Sequence, residues 1–227
     1  MKIAELFYSI QGEGILVGVP SVFIRTSGCN LRCAWCDTPY TSWSPEGAEM
    51  TVAEILDFVG THSTGHTVIT GGEPMIMPEI AELTQGLRRL GQHITIETAG
   101  TVFAPVVCDL MSISPKLANS TPSQQDAGPW AVRHEQRRIQ PDVLRRLTGA
   151  YSYQLKFVVA DERDLPELRS LAAILRADPA RVVLMPEGTD PETLRARSRW
   201  LAEICKRESY RLTPRLHIDL WGSRRGV

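Results

Sequence analysis

No stretch of the 227 residues is long and apolar enough to cross a bilayer as a helix. Charge of one sign is also missing. The formal net charge is −1, so no global basic field draws in nucleic acid. The first residues carry no signal-peptide pattern, because Glu5 and polar residues interrupt the run early, and a cytoplasmic protein is expected. No internal repeat is visible. Cysteine is sparse: five residues, an odd number, with three crowded into one loop. That pattern does not read as a secreted disulfide framework, and it favours a reducing compartment. What is present is ordinary for a globular protein, with 43% apolar and 22% charged residues. The length suffices for a single domain over residues 1–227.

Short β-branched runs alternate with longer helical patterns. Strands are predicted at Ser21–Arg25, Thr67–Thr70, His93–Thr98, Cys108–Ile113, Gln154–Val159, Arg181–Leu184 and Arg215–Leu220. Helices are predicted at Thr51–Val59, Pro78–Leu90, from Asp161 through Leu175, and at Pro191–Lys206. Thr51 and Glu54 form the sequence signature of a capping box. Alternating strand and helix implies parallel pairing with right-handed crossovers. Six or so strands cannot close an eight-stranded barrel, so a shortened partial (β/α) barrel is the expected α/β fold. Residues 118–140 contain loop chemistry at Asn119–Ser123 and Ala127–Pro129, then a basic run at Arg133–Arg138. A long loop or lid insertion is expected there.

Cys29, Cys33 and Cys36 stand in a C-x3-C-x2-C loop. A cubane iron–sulfur cluster normally takes one thiolate per iron. Three local thiolates would leave the fourth iron open to a non-protein ligand, and an open position marks a reactive metal site. The rival is a structural zinc site, but zinc wants four ligands and no second Cys or His pair follows. Cys108 and Cys205 read as small buried hydrophobes. Thr70-Gly71-Gly72-Glu73-Pro74 follows a strand and precedes a helix, where ligands bind in parallel α/β folds. Read alone, it is a strand-to-helix turn. Thr38 would ordinarily cap a turn. Glu13 and Arg25 could form an ion pair, although a guanidinium at a strand end can also hold a carboxylate. Pro115 would normally stop a strand, and His217 has a structural reading in a half-buried last strand.

The cysteine loop, with Trp35 in its aromatic slot, resembles the radical S-adenosylmethionine (SAM) enzymes, and Gly71–Pro74 resembles their GGEP motif. Phe7–Gly14, Phe23-Ile24-Arg25, Gly28–Leu31, Cys36-Asp37-Thr38, Ile96-Glu97-Thr98 and Ser114-Pro115-Lys116 resemble, in order, the 7-carboxy-7-deazaguanine synthases. So does the stretch from Leu220 to Val227. These matches span nearly the whole chain. The resemblance implies the radical SAM fold in a shortened form, with a [4Fe–4S] cluster, SAM and Mg²⁺ as cofactors. It implies cluster ligation by Cys29, Cys33 and Cys36, and a magnesium contact from Thr38. It implies SAM contacts from Trp35, Cys36, Asp37, Gly72, Glu73, Ser114, Pro115 and Lys116. Substrate contacts are implied for Ile10, Gln11, Gly12, Glu13, Arg25, Thr70 and His217, with a ribose or substrate contact for Glu97 and Thr98 and a place beside the adenine for Met185–Glu187.

The implied reaction converts 6-carboxy-5,6,7,8-tetrahydropterin to 7-carboxy-7-deazaguanine with loss of ammonia, and SAM is regenerated. The implied partners are a flavodoxin or ferredoxin reductant and a second copy of the chain, with no nucleic acid or membrane. Two other readings stand beside it. A glycyl-radical activase shares the cluster loop but gives no reason for Gln11–Gly14 or Cys36-Asp37-Thr38. A zinc-binding cysteine module would have no catalysis.

Overall fold

The computed structural model describes residues 1–227. In chain order the elements are β1 (Lys2–Ile10), β2 (Pro20–Thr26), α1 (Pro39–Ser42), β3 (Ala48–Glu49), α2 (Val52–Gly60), β4 (His66–Gly71), α3 (Ile80–Arg89), β5 (His93–Thr98) and β6 (Leu110–Ile113). There follow α4 (Gln124–Ala127), α5 (Pro129–Arg137), α6 (Pro141–Ala150), β7 (Tyr153–Val159), α7 (Leu165–Ile174), β8 (Val182–Pro186), α8 (Pro191–Glu208), β9 (Arg211–Leu212) and α9 (Leu216–Trp221). One open nine-stranded sheet runs β3-β1-β2-β4-β5-β6-β7-β8-β9. From β2 to β9 the pairing is parallel. β1 runs antiparallel to both β2 and β3. The partial (β/α) barrel expected from the alternation is the architecture found, with more strands than the sequence disclosed.

Strand side chains alternate between faces, and here the alternation separates core from site. Ile24, Ile69, Ile96, Ile113, Leu155 and Phe157 face the helices and are fully buried. They pack against Ile55, Leu83, Leu87, Leu144, Leu147, Leu168 and Leu201 in one cluster of 30 residues. The intervening positions on the other face are Arg25, Thr70, Glu97, Ser112, Gln154 and Lys156. In register, Arg25 lies opposite Thr70, Glu97 opposite Ser112, and Ser112 opposite Gln154. A row of polar groups is thereby held on a rigid sheet.

The capping box forms as expected. Glu54 N–H donates to Thr51 Oγ1 at 3.2 Å and Thr51 N–H donates to Glu54 at 2.7 Å. Three other expectations are corrected. Residues 118–140 form a short 3₁₀ turn followed by α4 and α5, and are not a long loop. The polar and proline residues read as loop signals are helix punctuation: Ser123 caps α4, and Pro129 opens α5. Arg215–Leu220 is not a strand but lies largely within α9, which ends where Gly222 adopts φ 73°. The spacing of Leu216, Ile218 and Leu220 imitated strand alternation, yet Leu220 is 52% exposed. Asp161 caps a 3₁₀ turn, and the helix proper starts at Leu165.

Candidate active site

The C-terminal ends of β2, β4, β5, β6, β7 and β8, with the loops around them, enclose a cavity of about 420 Å³. Cys29, Cys33 and Cys36 all line it, as do Ile10, Gln11, Gly12, Glu13 and Arg25. Trp35, Asp37, Thr38, Thr70, Gly72, Glu97, Ser114, Lys116, Met185 and His217 also line it. Residues separated by up to 207 positions in sequence thus meet at one place. Glu73 and Pro115 do not line the cavity, and neither does any residue of 118–140.

Local geometry explains the cysteine loop. Gly28 N–H donates to Thr41 O at 2.8 Å, which folds the loop back on α1. Gly72 N–H donates to Thr26 O at 3.1 Å, and Glu73 N–H donates to Gly28 O at 2.9 Å. A Cβ at position 72 would lie 2.0 Å from Gly28 O, so only glycine admits this backbone-to-backbone approach. Glu73 is wholly buried behind it. Its carboxyl accepts from Met75 N–H at 3.1 Å, Thr98 Oγ1–H at 2.7 Å and Ala99 N–H at 2.8 Å. Burial pushes its pKa up, against the pull of those three donors. Glu73 therefore locks the glycine turn onto the end of β5.

The three cysteines are free, and Leu31 N–H donates to Cys29 Sγ at 3.4 Å. Burial pushes both the Cys29 and the Cys33 thiol up to about 12. Such thiols ionise when they bind a metal centre, which couples their protons to its loading. No three His, Cys, Asp or Glu side chains come close enough together to hold a single ion. Three thiolates that line one cavity can each take one iron of a cluster. Thr38 precedes α1 but makes no capping hydrogen bond with its side chain. Its hydroxyl accepts from Thr41 Oγ1–H at 3.3 Å, lies 3.9 Å from Cys36 Sγ, and is open to the cavity. Trp35 Nε1–H donates to Asn119 Oδ1 at 3.2 Å. Lys116 Nζ lies 5.7 Å from the Trp35 ring centroid and donates to Ser114 Oγ at 2.8 Å.

The same cavity holds a network of buried charge that the sequence did not announce. Glu13 is clamped by Lys156 on one carboxylate oxygen and by Arg215 Nε, at 3.0 Å, on the other. Arg215 also donates to Asp37 in the cysteine loop and to Gly188 O, at 2.7 Å, beyond β8. Lys156 and Arg215 are only 5% and 6% exposed. Burial alone would raise the Glu13 carboxyl, but Lys156 and Arg215 overcome it and hold the pKa well below the carboxylate range. Lys156 is raised: burial opposes its charge, and Glu13 and Glu97 restore it. Burial depresses His217 despite Glu13 nearby, leaving a neutral imidazole. His217 sits at the start of α9, whose Leu216 N–H donates to Gly12 O at 2.9 Å. A Cβ at position 12 would meet His217 Nδ1 at 2.1 Å, which accounts for glycine there.

Gln11 Nε2–H donates to Glu97 Oε1 at 3.3 Å, and Thr70 Oγ1–H to Glu97 Oε2 at 2.7 Å. Arg25 Nε lies 2.7 Å from Glu5 Oε2, close enough for an ion pair but too poorly angled for a hydrogen bond. Its partner is Glu5, not the Glu13 suggested by sequence. Lys156 and Arg215 were missed. The signal for Lys156 was available in the alternation Gln154-Leu155-Lys156-Phe157, a charge inside an apolar strand. Arg215 gave no such signal, because its segment was read as a strand.

The model for the Radical SAM superfamily matches residues 23–117. This is the class that the fold and the cysteine-lined cavity define, and it brings a [4Fe–4S] cluster and SAM as cofactors. The 7-carboxy-7-deazaguanine synthase of Halobacterium salinarum is 48% identical over 97% of this chain and 90% of its own length. That of Rhodopirellula baltica is 45% identical over 100% of this chain and 89% of its own. The crystal structure of QueE from Escherichia coli superposes with a TM-score of 0.70 at 29% identity, covering 95% of this chain and 94% of that one. The chain belongs to the 7-carboxy-7-deazaguanine synthase family.

Proposed function

We propose that this enzyme converts 6-carboxy-5,6,7,8-tetrahydropterin to 7-carboxy-7-deazaguanine with release of ammonia. The observation that carries the reading is the cavity's charge balance. Six cationic side chains, Arg25, Lys116, Lys156, Arg215, Arg224 and Arg225, line it against three acidic ones, Glu13, Asp37 and Glu97. Such a lining favours carboxylates, and both the pterin substrate and SAM carry one. Cys29, Cys33 and Cys36 hold the cluster. When bound, cluster and SAM supply reductive cleavage of the sulfonium and abstraction of a substrate hydrogen atom.

The chain's own residues then bind and orient. Arg25 faces the substrate carboxylate with its fork, since Glu5 engages only the Nε edge. Glu13, ionised and able only to accept, takes the N–H donors of the aminopyrimidine edge. The backbone of Ile10–Gly12, with Gln11, Thr70 and neutral His217, completes the shape of that subsite. Thr38 offers one oxygen to Mg²⁺, which keeps several waters and draws further oxygens from substrate. Trp35, Asp37, the Gly72 backbone, Ser114 and Lys116 surround SAM. Glu73 acts one step back, through the turn it fixes. The reductant is a flavodoxin or ferredoxin, the assembly a homodimer and the compartment the cytoplasm. No helix is long and apolar enough to cross a membrane.

The test is anaerobic turnover of the cluster-loaded protein with SAM, Mg²⁺, reductant and the carboxy-tetrahydropterin, with product and ammonia both quantified. Substrate-independent cleavage of SAM with no 7-carboxy-7-deazaguanine formed would remove the substrate assignment.

A further inference from the structure

The helical segment 118–137 takes no part in the cavity, yet it is fastened to the outside of the cysteine loop. Arg32 N–H donates to His134 Nδ1 at 3.1 Å, and Ala34 N–H donates to Ser120 O at 2.8 Å. Ser120 Oγ and His134 Nε2 lie 3.0 Å apart, which closes the joint, and both residues are fully buried. The outer surface of that joint is aromatic and basic. The Arg32 guanidinium lies 4.1 Å from the Trp130 ring centroid, and that of Arg133 lies 5.4 Å from the same ring. Trp130, Arg133 and Arg137 recur at i, i+3 and i+7, so they share one face of α5. Neither Arg32, Arg133 nor Arg137 has a carboxylate partner, although ion pairs are plentiful elsewhere. The nearby acids are already engaged: Glu135 by Arg138 and Thr121, and Asp126 by Ser123. Ala34 in the cysteine loop and Val132 are exposed.

We propose that this stripe, Arg32, Trp130, Arg133 and Arg137 beside Ala34, is the docking surface for an acidic one-electron carrier protein of the flavodoxin type. The inference rests on the reading of the cysteine loop as the cluster site. The three cysteines line the cavity, whereas the Arg32 and Ala34 N–H groups of the same loop face the joint, so the joint backs the loop and offers an electron a short way in. The chain as a whole carries a charge of −1 and cannot steer an acidic partner. A local patch of unpaired guanidinium groups can, and such patches act mainly on encounter and orientation. An arginine-flanked tryptophan supplies the flat apolar centre that interfaces favour. Arg133 and Arg137 touch neither the cavity nor the loop backbone, so they separate docking from chemistry. Arg32 is less useful for this purpose, because it donates to Cys29 O at 2.9 Å and Leu31 O at 2.7 Å.

The experiment compares the cluster-loaded wild type with an Arg133→Glu/Arg137→Glu variant. SAM cleavage is driven either by dithionite or by reduced flavodoxin, and the Kd for oxidised flavodoxin is measured by calorimetry at low salt. Dithionite-driven cleavage should be unchanged. Flavodoxin-driven kcat/KM should fall, and Kd weaken, by about tenfold or more, and the salt dependence of both should flatten. An Arg133→Gln/Arg137→Gln variant should fall between. Unchanged Kd and flavodoxin-driven kcat/KM in both variants would overturn the proposal. A wild type that binds flavodoxin through this patch but converts no pterin under dithionite would sustain the docking surface while removing the substrate assignment.

Discussion

Replacing Arg215 with Met should damage both stability and turnover, and the structure says by how much. Its side chain joins three elements: Glu13 before β2, Asp37 in the cysteine loop, and Gly188 after β8. Removing one member of a buried ion pair typically costs about 3–5 kcal/mol, because a charge is left behind. Here the loss is moderated, since Glu13 keeps Lys156. Asp37 is 40% exposed and can turn to water, so its share is at most about 1 kcal/mol. The Gly188 carbonyl loses its donor, worth about 1–3 kcal/mol if left unsatisfied. A net loss of about 3 kcal/mol is expected, read as a lowered urea midpoint with unchanged slope in anaerobic denaturation. Glu13 would then swing, and kcat/KM should drop on the order of 100-fold. Arg215→Lys keeps the charge but cannot reach three acceptors on separate elements, so it should recover only part. A double-mutant cycle with Glu13→Gln should return a coupling energy of about 1–3 kcal/mol. A loss under about 1 kcal/mol together with zero coupling would refute the reasoning.

Cys33→Ala, like Cys29→Ala or Cys36→Ala, should abolish iron loading and turnover, whereas Cys108→Ala and Cys205→Ala should retain both; iron and sulfide analysis decides. Thr38→Ala should raise the Mg²⁺ needed for half-maximal turnover while iron content and SAM cleavage persist. Arg25→Ala should cost on the order of 2–5 kcal/mol in kcat/KM, and Arg25→Lys should regain a fraction, with SAM cleavage still detectable as 5′-deoxyadenosine. Acid stability should depend on His66, which is buried between Ser21 Oγ at 2.6 Å and Thr95 Oγ1 at 2.9 Å. Burial and His93, opposed by Asp109 and Glu97, lower its pKa from 6.5 to about 4. The folded value is thus depressed, so its stabilisation is complete above pH 6.5 and is lost as pH falls towards 4, as much as about 3 kcal/mol in all. His66→Gln should flatten the Tm profile across that window; an unchanged slope would assign the acid sensitivity to other groups.

The legible parts of this fold were those where one residue type has one local job. Thr51 and Glu54 announced a helix start because a capping box needs only four consecutive residues. The β-branched strands β4 and β5 were legible because both run through the core. β1 was not: its half-exposed edge-side residues dilute the pattern, and its pairing with β2 is a non-local fact. α9 was misread because Leu216, Ile218 and Leu220 fall at alternate positions, although Ile218 is the one buried residue of the helix. The candidate site divides in the same way. Cys29, Cys33, Cys36 and the Gly71-Gly72 turn are local motifs, legible in sequence, and all line the cavity. Arg215 acts through partners 202 and 178 residues away, and no window of sequence contains that relation.

The distribution of charge suggests why the site is built from such distant pieces. A carboxylate kept ionised inside a low-dielectric cavity needs compensating cations, because burial favours its neutral form. Glu13 sits between Gly12 and Gly14, and it is held from two sides by cations on regular elements, Lys156 from β7 and Arg215 from the entrance to α9. Both cations are held by the fold itself, so the scaffold sets the position of Glu13. Arg215 extends the same restraint to Asp37, directly after the last cysteine. A shift of the cysteine loop is therefore opposed by the same guanidinium that fixes Glu13. On the proposed function, that shared anchor keeps cofactor and substrate in a single geometric frame.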